Sequence, residues 1–228
     1  MEITSRQAAE QLGVTQQRIQ TLFAAGDVHG RMVAGRLVVE SADIRARLAR
    51  RPGRGRPLAA RVAWGMLWEL SGERAHWLGA SERSRLCTNI SKLKTEEIVL
   101  RARRRATLHQ YRILPTYVDR LAADAACIAS GVSAASAVGA DIVALGFAEV
   151  YTARSTRDRL VKQYAMVEGG NDADINVNLH VMDDDLKFLL NGRTHMPSAV
   201  VACDLMESPE PRTRRAGTLV LSDLLSKF

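Results

Sequence analysis

The chain has 228 residues, 46% of them hydrophobic, and its 32 Lys and Arg outnumber 25 Asp and Glu for a formal net charge of +7. That length suits two modest domains with ordinary globular cores. No apolar run approaches the roughly 20 residues of a membrane-spanning helix, no signal-peptide pattern precedes the first helix, and Cys87, Cys127 and Cys203 form neither a disulfide framework nor a CxxC metal site, so we expect a cytoplasmic protein with reduced, packing cysteines.

Thr4 followed three residues later by Gln7 makes a capping box, predicting a helix that buries Ala8, Ala9 and Leu12. Gly13 breaks it, Val14 is expected to pack into the turn, and Thr15 caps a second helix docked through Ile19, Leu22 and Phe23. Thr15, Gln16, Gln17, Arg18, Gln20 and Thr21 are left outside. Two short helices across a tight turn, with amide and guanidinium groups on the exposed start of the second, suit the DNA major groove. Gln reads adenine and Arg reads guanine there, each with two hydrogen bonds. After Gly26, residues 28–39 read as a hairpin turning at Ala34 and Gly35, a wing carrying Arg31 and Arg36 near its tip to meet phosphate. Ser41 then caps a short helix through Ile44 and Leu48.

The strings I-T-S-R-Q-A-A-E-Q-L-G-V-T, A-A-G-D and G-R-L-V-V-E-S-A-D-I resemble the excisionase and MerR-type winged-helix module, over about a fifth of the chain. The resemblance implies DNA binding with Gln16, Gln17, Arg18 and Gln20 on the reading helix. Residues 1–49 are accordingly expected to be a winged helix-turn-helix domain.

Positive charge is unevenly spread. Lys and Arg against Asp and Glu stand at 10 to 5 in residues 1–56, 12 to 6 in 57–120 and 10 to 14 in 121–228. The basic half holds the DNA-reading residues, which fits a polyanionic partner. Residues 50–57, Arg50-Arg51-Pro52-Gly53-Arg54-Gly55-Arg56-Pro57, are too rich in Pro and Gly for a helix and mark the domain boundary. Arg54 to Pro57 resembles the core of an AT-hook, which implies arginines entering a narrow A·T minor groove. The plainer reading is a basic linker in which Arg50, Arg51, Arg54 and Arg56 attract phosphate.

Residues 58–70 are apolar on most sides and predict a buried helix with Trp64 and Trp68 in its core, base stacking being the alternative. Ser81 is expected to cap a helix carrying Leu86, Ile90 and Leu93, and Thr95 another that ends in Arg101, Arg103, Arg104 and Arg105. That arginine run reads as a solvated face or as an extension of a phosphate-binding surface. Beyond Pro115, strands are expected at residues 127–129, 147–151 and 175–181, with a helix opened by Ser155 and Asp158. In the last strand Ile175, Val177, Leu179 and Val181 alternate with Asn176, Asn178 and His180, predicting half-burial with His180 solvated or hydrogen-bonded. Residues 199–205 are another apolar stretch. A final helix follows Pro211, its inner side formed by Ala216, Val220, Leu224 and Leu225. The whole reads as an α+β protein: a winged helix-turn-helix domain, a helical middle and a mixed α+β domain over residues 58–228.

S-G-V-S-A-A at Ser130 to Ala135, V-Y-T-A, D-I-N-V-N-L-H-V and V-V-A-C-D-L-M-E-S-P-E-P-R-T-R-R-A-G resemble the C-terminal region of AbiEi-type antitoxins. That family implies a DNA-binding antitoxin that represses its own operon and opposes a nucleotidyltransferase toxin encoded beside it. Catalysis is the weaker reading. Asp172-Ala173-Asp174 has the carboxylate spacing of a two-metal site, but Ser130-Gly131-Val132-Ser133 reverses the Gly-Ser turn such enzymes need, and the aspartates sit in a polar turn. Asp183 to Asp185 read as a solvated loop, and Arg212, Arg214 and Arg215 as a solvated face. No cofactor or metal is expected. Double-stranded operator DNA, bound as a homodimer on paired half-sites, and a nucleotidyltransferase-type toxin are the expected partners. The alternative is a transcriptional regulator without a toxin, whose C-terminal domain senses a ligand or oligomerises.

Overall fold

A computed structural model describes residues 2–12, 14–24, 28–33, 35–41, 43–44, 56–169 and 175–228. The chain divides into two compact units, Met1–Pro52 and Gly53–Phe228.

In the first unit, strand β1 (Glu2–Thr4) leads directly into helix α1 (Ser5–Leu12). Thr4 and Gln7 close the capping box reciprocally: Thr4 Oγ1 accepts from the Gln7 N–H at 3.2 Å and Gln7 Oε1 accepts from the Thr4 N–H at 3.0 Å. The Val14 N–H donates to Ala9 O at 3.0 Å and closes the far end of α1. The Val14 side chain, expected to pack, is 41% exposed; only its backbone serves the turn. Thr15 Oγ1 then accepts from the Arg18 N–H at 3.3 Å and starts α2 (Gln16–Ala24), which buries Ile19 and Leu22.

Strands β2 (Gly30–Val33) and β3 (Arg36–Glu40) form a hairpin, with Val33 opposite Arg36 and Gly35 in the turn at φ +76°. β1 pairs antiparallel with the other edge of β3, Ile3 opposite Val39, in the order β1-β3-β2. This third strand was not expected, because three residues are too few to show a period and their partner lies over thirty residues away. Ile3, Leu37 and Val39 join Ala8, Leu12, Ile19 and Leu22 in the core. Ser41, Asp43 and Ile44 are helical, and Ile44 is buried in that same core.

The second unit is mixed α and β. Helices α3 (Ala60–Leu70), α4 (Ala80–Ile90) and α5 (Thr95–Ala102) precede β4 (Thr107–Arg112) and α6 (Pro115–Ala122). After β5 (Ile128–Ala129) comes a 3-10 segment, Gly131–Val138, then β6 (Ala148–Ala153), α7 (Arg154–Gln163), β7 (Val167–Glu168) and β8 (Val177–Met182). A second 3-10 segment, Asp184–Leu190, leads to α8 (Ser198–Glu207) and α9 (Pro211–Lys227). The sheet order is β5-β6-β8-β4-β7, with β6 and β8 parallel and the other pairs antiparallel. α7 lies in the crossover that a parallel pair requires.

Alternation along β8 divides the core. Val177, Leu179 and Val181 pack with Val118 and Leu121 of α6 and Leu160 of α7. Met182 and Tyr151 lie on the other side, with α3, α8 and Leu221 of α9. Helices thus cover both faces, and β8 is buried on both, not half-buried as expected from its sequence alternation.

Several helix starts differ from expectation. α4 begins after Gly79 with Ser81 already inside it, leaving Leu93 beyond its end. α5 begins after Lys94, whose N–H donates to Glu97 Oε2 at 3.0 Å. The first turn of α7 is capped from elsewhere in the chain: the N–H and hydroxyl of Ser155 donate to Asp184 Oδ1 at 3.0 and 2.7 Å. Asp183 meanwhile pairs with Arg154, so two of the three acids expected to be merely solvated organise the start of α7. The apolar residues 199–205 form α8, buried on all sides. On α9 the fully buried line is Thr213, Gly217 and Leu221, while the expected Ala216, Val220, Leu224 and Leu225 flank it half-buried. Gly217 explains that rotation: a Cβ there would lie 2.6 Å from Ala202 O, so α8 and α9 make backbone contact at this point.

Candidate nucleic-acid interface

The exposed face of α2 is built by its caps and its apolar spacing. Burial of Ile19 and Leu22 turns Gln17, Arg18, Gln20 and Thr21 to solvent. Other residues assigned here from sequence already have internal work. Thr15 is the cap, and Gln16 Nε2 donates to Ser5 Oγ at 2.8 Å, fastening α2 to α1. The Thr21 hydroxyl donates to Gln17 O at 3.0 Å. Among the described residues, the exposed side chains of Gln17, Arg18 and Gln20 take part in no hydrogen bond or ion pair.

Arg31 is not free. Its Nε and Nη2 donate to the two carboxylate oxygens of Glu2 at 2.9 and 3.0 Å, and this hydrogen bonding holds the Glu2 carboxyl below its usual range. It also lies two residues back from the hairpin end, opposite Val38, whereas exposed Arg36 stands at that end, opposite Val33. Arg56 is exposed, while Arg50, Arg51, Arg54, Asp172 and Asp174 lie outside the described residues.

The second unit contains a buried polar network that sequence reasoning missed. Arg105, the last of the arginine run expected on a solvated face, is 4% exposed. Its Nε donates to Tyr151 Oη at 2.9 Å, and its Nη2 donates to Asp204 and Glu207. The Tyr151 hydroxyl donates to Asp204 Oδ1 at 3.0 Å, and the Ser130 hydroxyl donates to Asp204 Oδ2. Trp64, in the core as expected, donates its Nε1–H to Arg105 O at 2.8 Å. One signal lay in the sequence: Asp204 sits in an apolar run, where a carboxylate needs a hydrogen-bonding or charged partner, although nothing local names Arg105 as that partner.

Next to this network, His180 stacks on Tyr151 with ring centroids 4.6 Å apart and its Nε2 lies 3.1 Å from Glu149 Oε1. Burial alone would lower the His180 pKa, but Asp204 and the hydrogen bond to Glu149 outweigh it and raise the value. For Glu149, burial pushes upward, and the hydrogen bond and charge of His180 with the Val132 N–H bring it below the usual carboxylate value. Each shift favours the charged form of its own group. The Ser130-Gly131-Val132-Ser133 loop wraps Glu149. The Val132 N–H donates to Glu149 Oε2 at 3.0 Å, and a Cβ on Gly131, at φ +46°, would lie 1.9 Å from the same oxygen.

Family models, curated proteins and solved structures return no match to this chain. Among the described residues no helix is long and apolar enough to cross a membrane. The cysteines are free; burial pushes the Cys127 thiol up to about 12 and that of Cys203 higher still, which makes both poor nucleophiles.

Proposed function

We propose that this protein is a DNA-binding autorepressor and antitoxin, acting by binding and not by catalysis. Its first unit would be a winged helix-turn-helix that reads its own operator, and its second would oppose a nucleotidyltransferase-type toxin. The observation that carries the DNA half is the row Gln17, Arg18 and Gln20, exposed and uncommitted at the start of a helix fixed by its cap and by Gln16. Such a row meets base edges when the helix enters the major groove. Arg36 on the hairpin supplies a phosphate contact, and the basic Arg50 to Arg56 segment adds attraction without sequence preference. Binding as a homodimer on paired half-sites would give a small reading head enough affinity. The antitoxin half rests on the resemblance of residues 130–217 to AbiEi-type antitoxins.

Fluorescence anisotropy against DNA from upstream of the gene and against scrambled DNA tests the first half. Each lost bidentate contact is worth about 1–3 kcal/mol, so Gln17→Ala with Gln20→Ala should weaken operator binding by at least about tenfold and leave scrambled DNA nearly unaffected. Equal loss on both would end the base-reading role. Co-expression with a neighbouring nucleotidyltransferase tests the second half, since continued growth arrest in the presence of folded protein would refute it.

A further inference from the structure

At one end of the second unit's sheet, where α5 runs into β4 and β6 runs into α7, lies a recess of about 300 Å³. Arg103, Arg104, Arg105, Thr107, Arg154 and Asp183 line it. Four arginines and one aspartate are among its lining residues, but their charges are unequally committed. Arg105 belongs to the buried network with Asp204 and Glu207, so it is the neutralised wall of the recess. Arg154 shares its charge with Asp183. Arg103 and Arg104 are exposed, and among the described residues neither forms an ion pair or a side-chain hydrogen bond. The lining therefore includes two consecutive arginines without an ion pair among the described residues, together with Thr107 and the paired Arg154.

We propose that this recess binds the phosphate of a small phosphomonoester, held by Arg103 and Arg104. Guanidinium forks match phosphate oxygens in geometry and charge. A phosphomonoester carries about −1.5 to −2 charges at neutral pH, which two free guanidiniums balance. A nucleic-acid backbone has one charge per phosphate and is met by cations spread along an open surface, whereas here the cations share a recess. Its volume is at the lower end of small-molecule sites, about 300 Å³ upward, which suits one phosphate with a small organic part. The site lies wholly in the second unit and stands whether or not the first unit reads DNA.

Titration calorimetry of the full-length protein at constant ionic strength tests this, with glycerol 3-phosphate as probe and glycerol, inorganic phosphate and scrambled duplex DNA as comparisons. Saturable binding of glycerol 3-phosphate is expected, with none of glycerol. Arg103→Ala with Arg104→Ala should weaken it by at least about tenfold without changing the Tm of the unliganded protein. Arg104→Glu, a single change at an exposed site, provides a second variant with the same expected loss. Absence of saturable binding, or unchanged affinity in these variants, overturns the proposal. So does binding of inorganic phosphate alone, which would make the recess a site for a free ion. Loss of duplex DNA binding in the variants without any response to glycerol 3-phosphate would likewise overturn it and assign the arginines to a nucleic-acid surface.

Discussion

Arg105 shows how one side chain can hold several elements together. It ties the end of α5 to β6 through Tyr151 and to α8 through Asp204, while its carbonyl receives Trp64 of α3. Removing one partner of a buried ion pair leaves the other charge unpaired and costs about 3–5 kcal/mol. Arg105→Met should lower stability by that amount in denaturant unfolding, and adding Asp204→Asn should recover part of it; additive losses would mean that the pair does not act as a unit. His180 gives the network a pH dependence. Its folded pKa is raised above the ordinary 6.5, so its stabilisation is complete below that value and is lost as pH rises through the folded one. Glu149 has the opposite sign, stabilising above 4.5 and losing the contribution as pH falls through its lowered folded pKa. As pH rises from the ordinary 6.5 through the raised folded value, the wild type should therefore lose stability more steeply than His180→Gln. Parallel curves would show that the imidazole is neutral throughout.

At the scale of elements, local signals were legible and partnerships were not. The caps of α1 and α2 lie within three residues of the groups they satisfy, so Thr4 with Gln7 and Thr15 with Arg18 could be read directly from spacing. β1 and β4 escaped notice because a short strand with mixed side chains exists only where a partner edge awaits it. α8 lacked a helical period because every face is buried, and the start of α7 depends on Asp184, some thirty residues away. For the same reason the exposed face of α2 was legible, while the pairing of Arg31 with Glu2 and the burial of Arg105 were not. Two changes separate the local from the non-local contribution. Thr4→Ala removes a cap and should cost about 1 kcal/mol. Gly217→Val inserts atoms against the backbone of α8, where even a Cβ approaches Ala202 O to 2.6 Å, and should cost more, about 1–3 kcal/mol or beyond. Denaturant unfolding in which Gly217→Val proves as stable as wild type would show that α8 and α9 can separate freely.

At the scale of the whole molecule, the division into Met1–Pro52 and Gly53–Phe228 sets what can be cut from what. Sequence composition marks residue 121 as the start of the acidic half, but the fold does not break there. β4, before that point, lies between β8 and β7 in the sheet. α3 supplies Trp64 to the carbonyl of Arg105, and Arg105 in turn holds Asp204. A fragment of residues 121–228 would lose an interior strand and leave Asp204 buried without its cation, whereas residues 53–228 keep both. The longer fragment should unfold cooperatively with a Tm near that of the corresponding transition in the intact chain, and the shorter one should show no cooperative transition by calorimetry. If residues 121–228 fold alone, the polar network is dispensable to the unit's architecture. If residues 53–228 fail to fold, the first unit contributes stability beyond the division seen here. Assays of the proposed toxin opposition therefore belong on residues 53–228, since failure of the shorter fragment would report its lost strand and unpaired carboxylate and would not test the proposal.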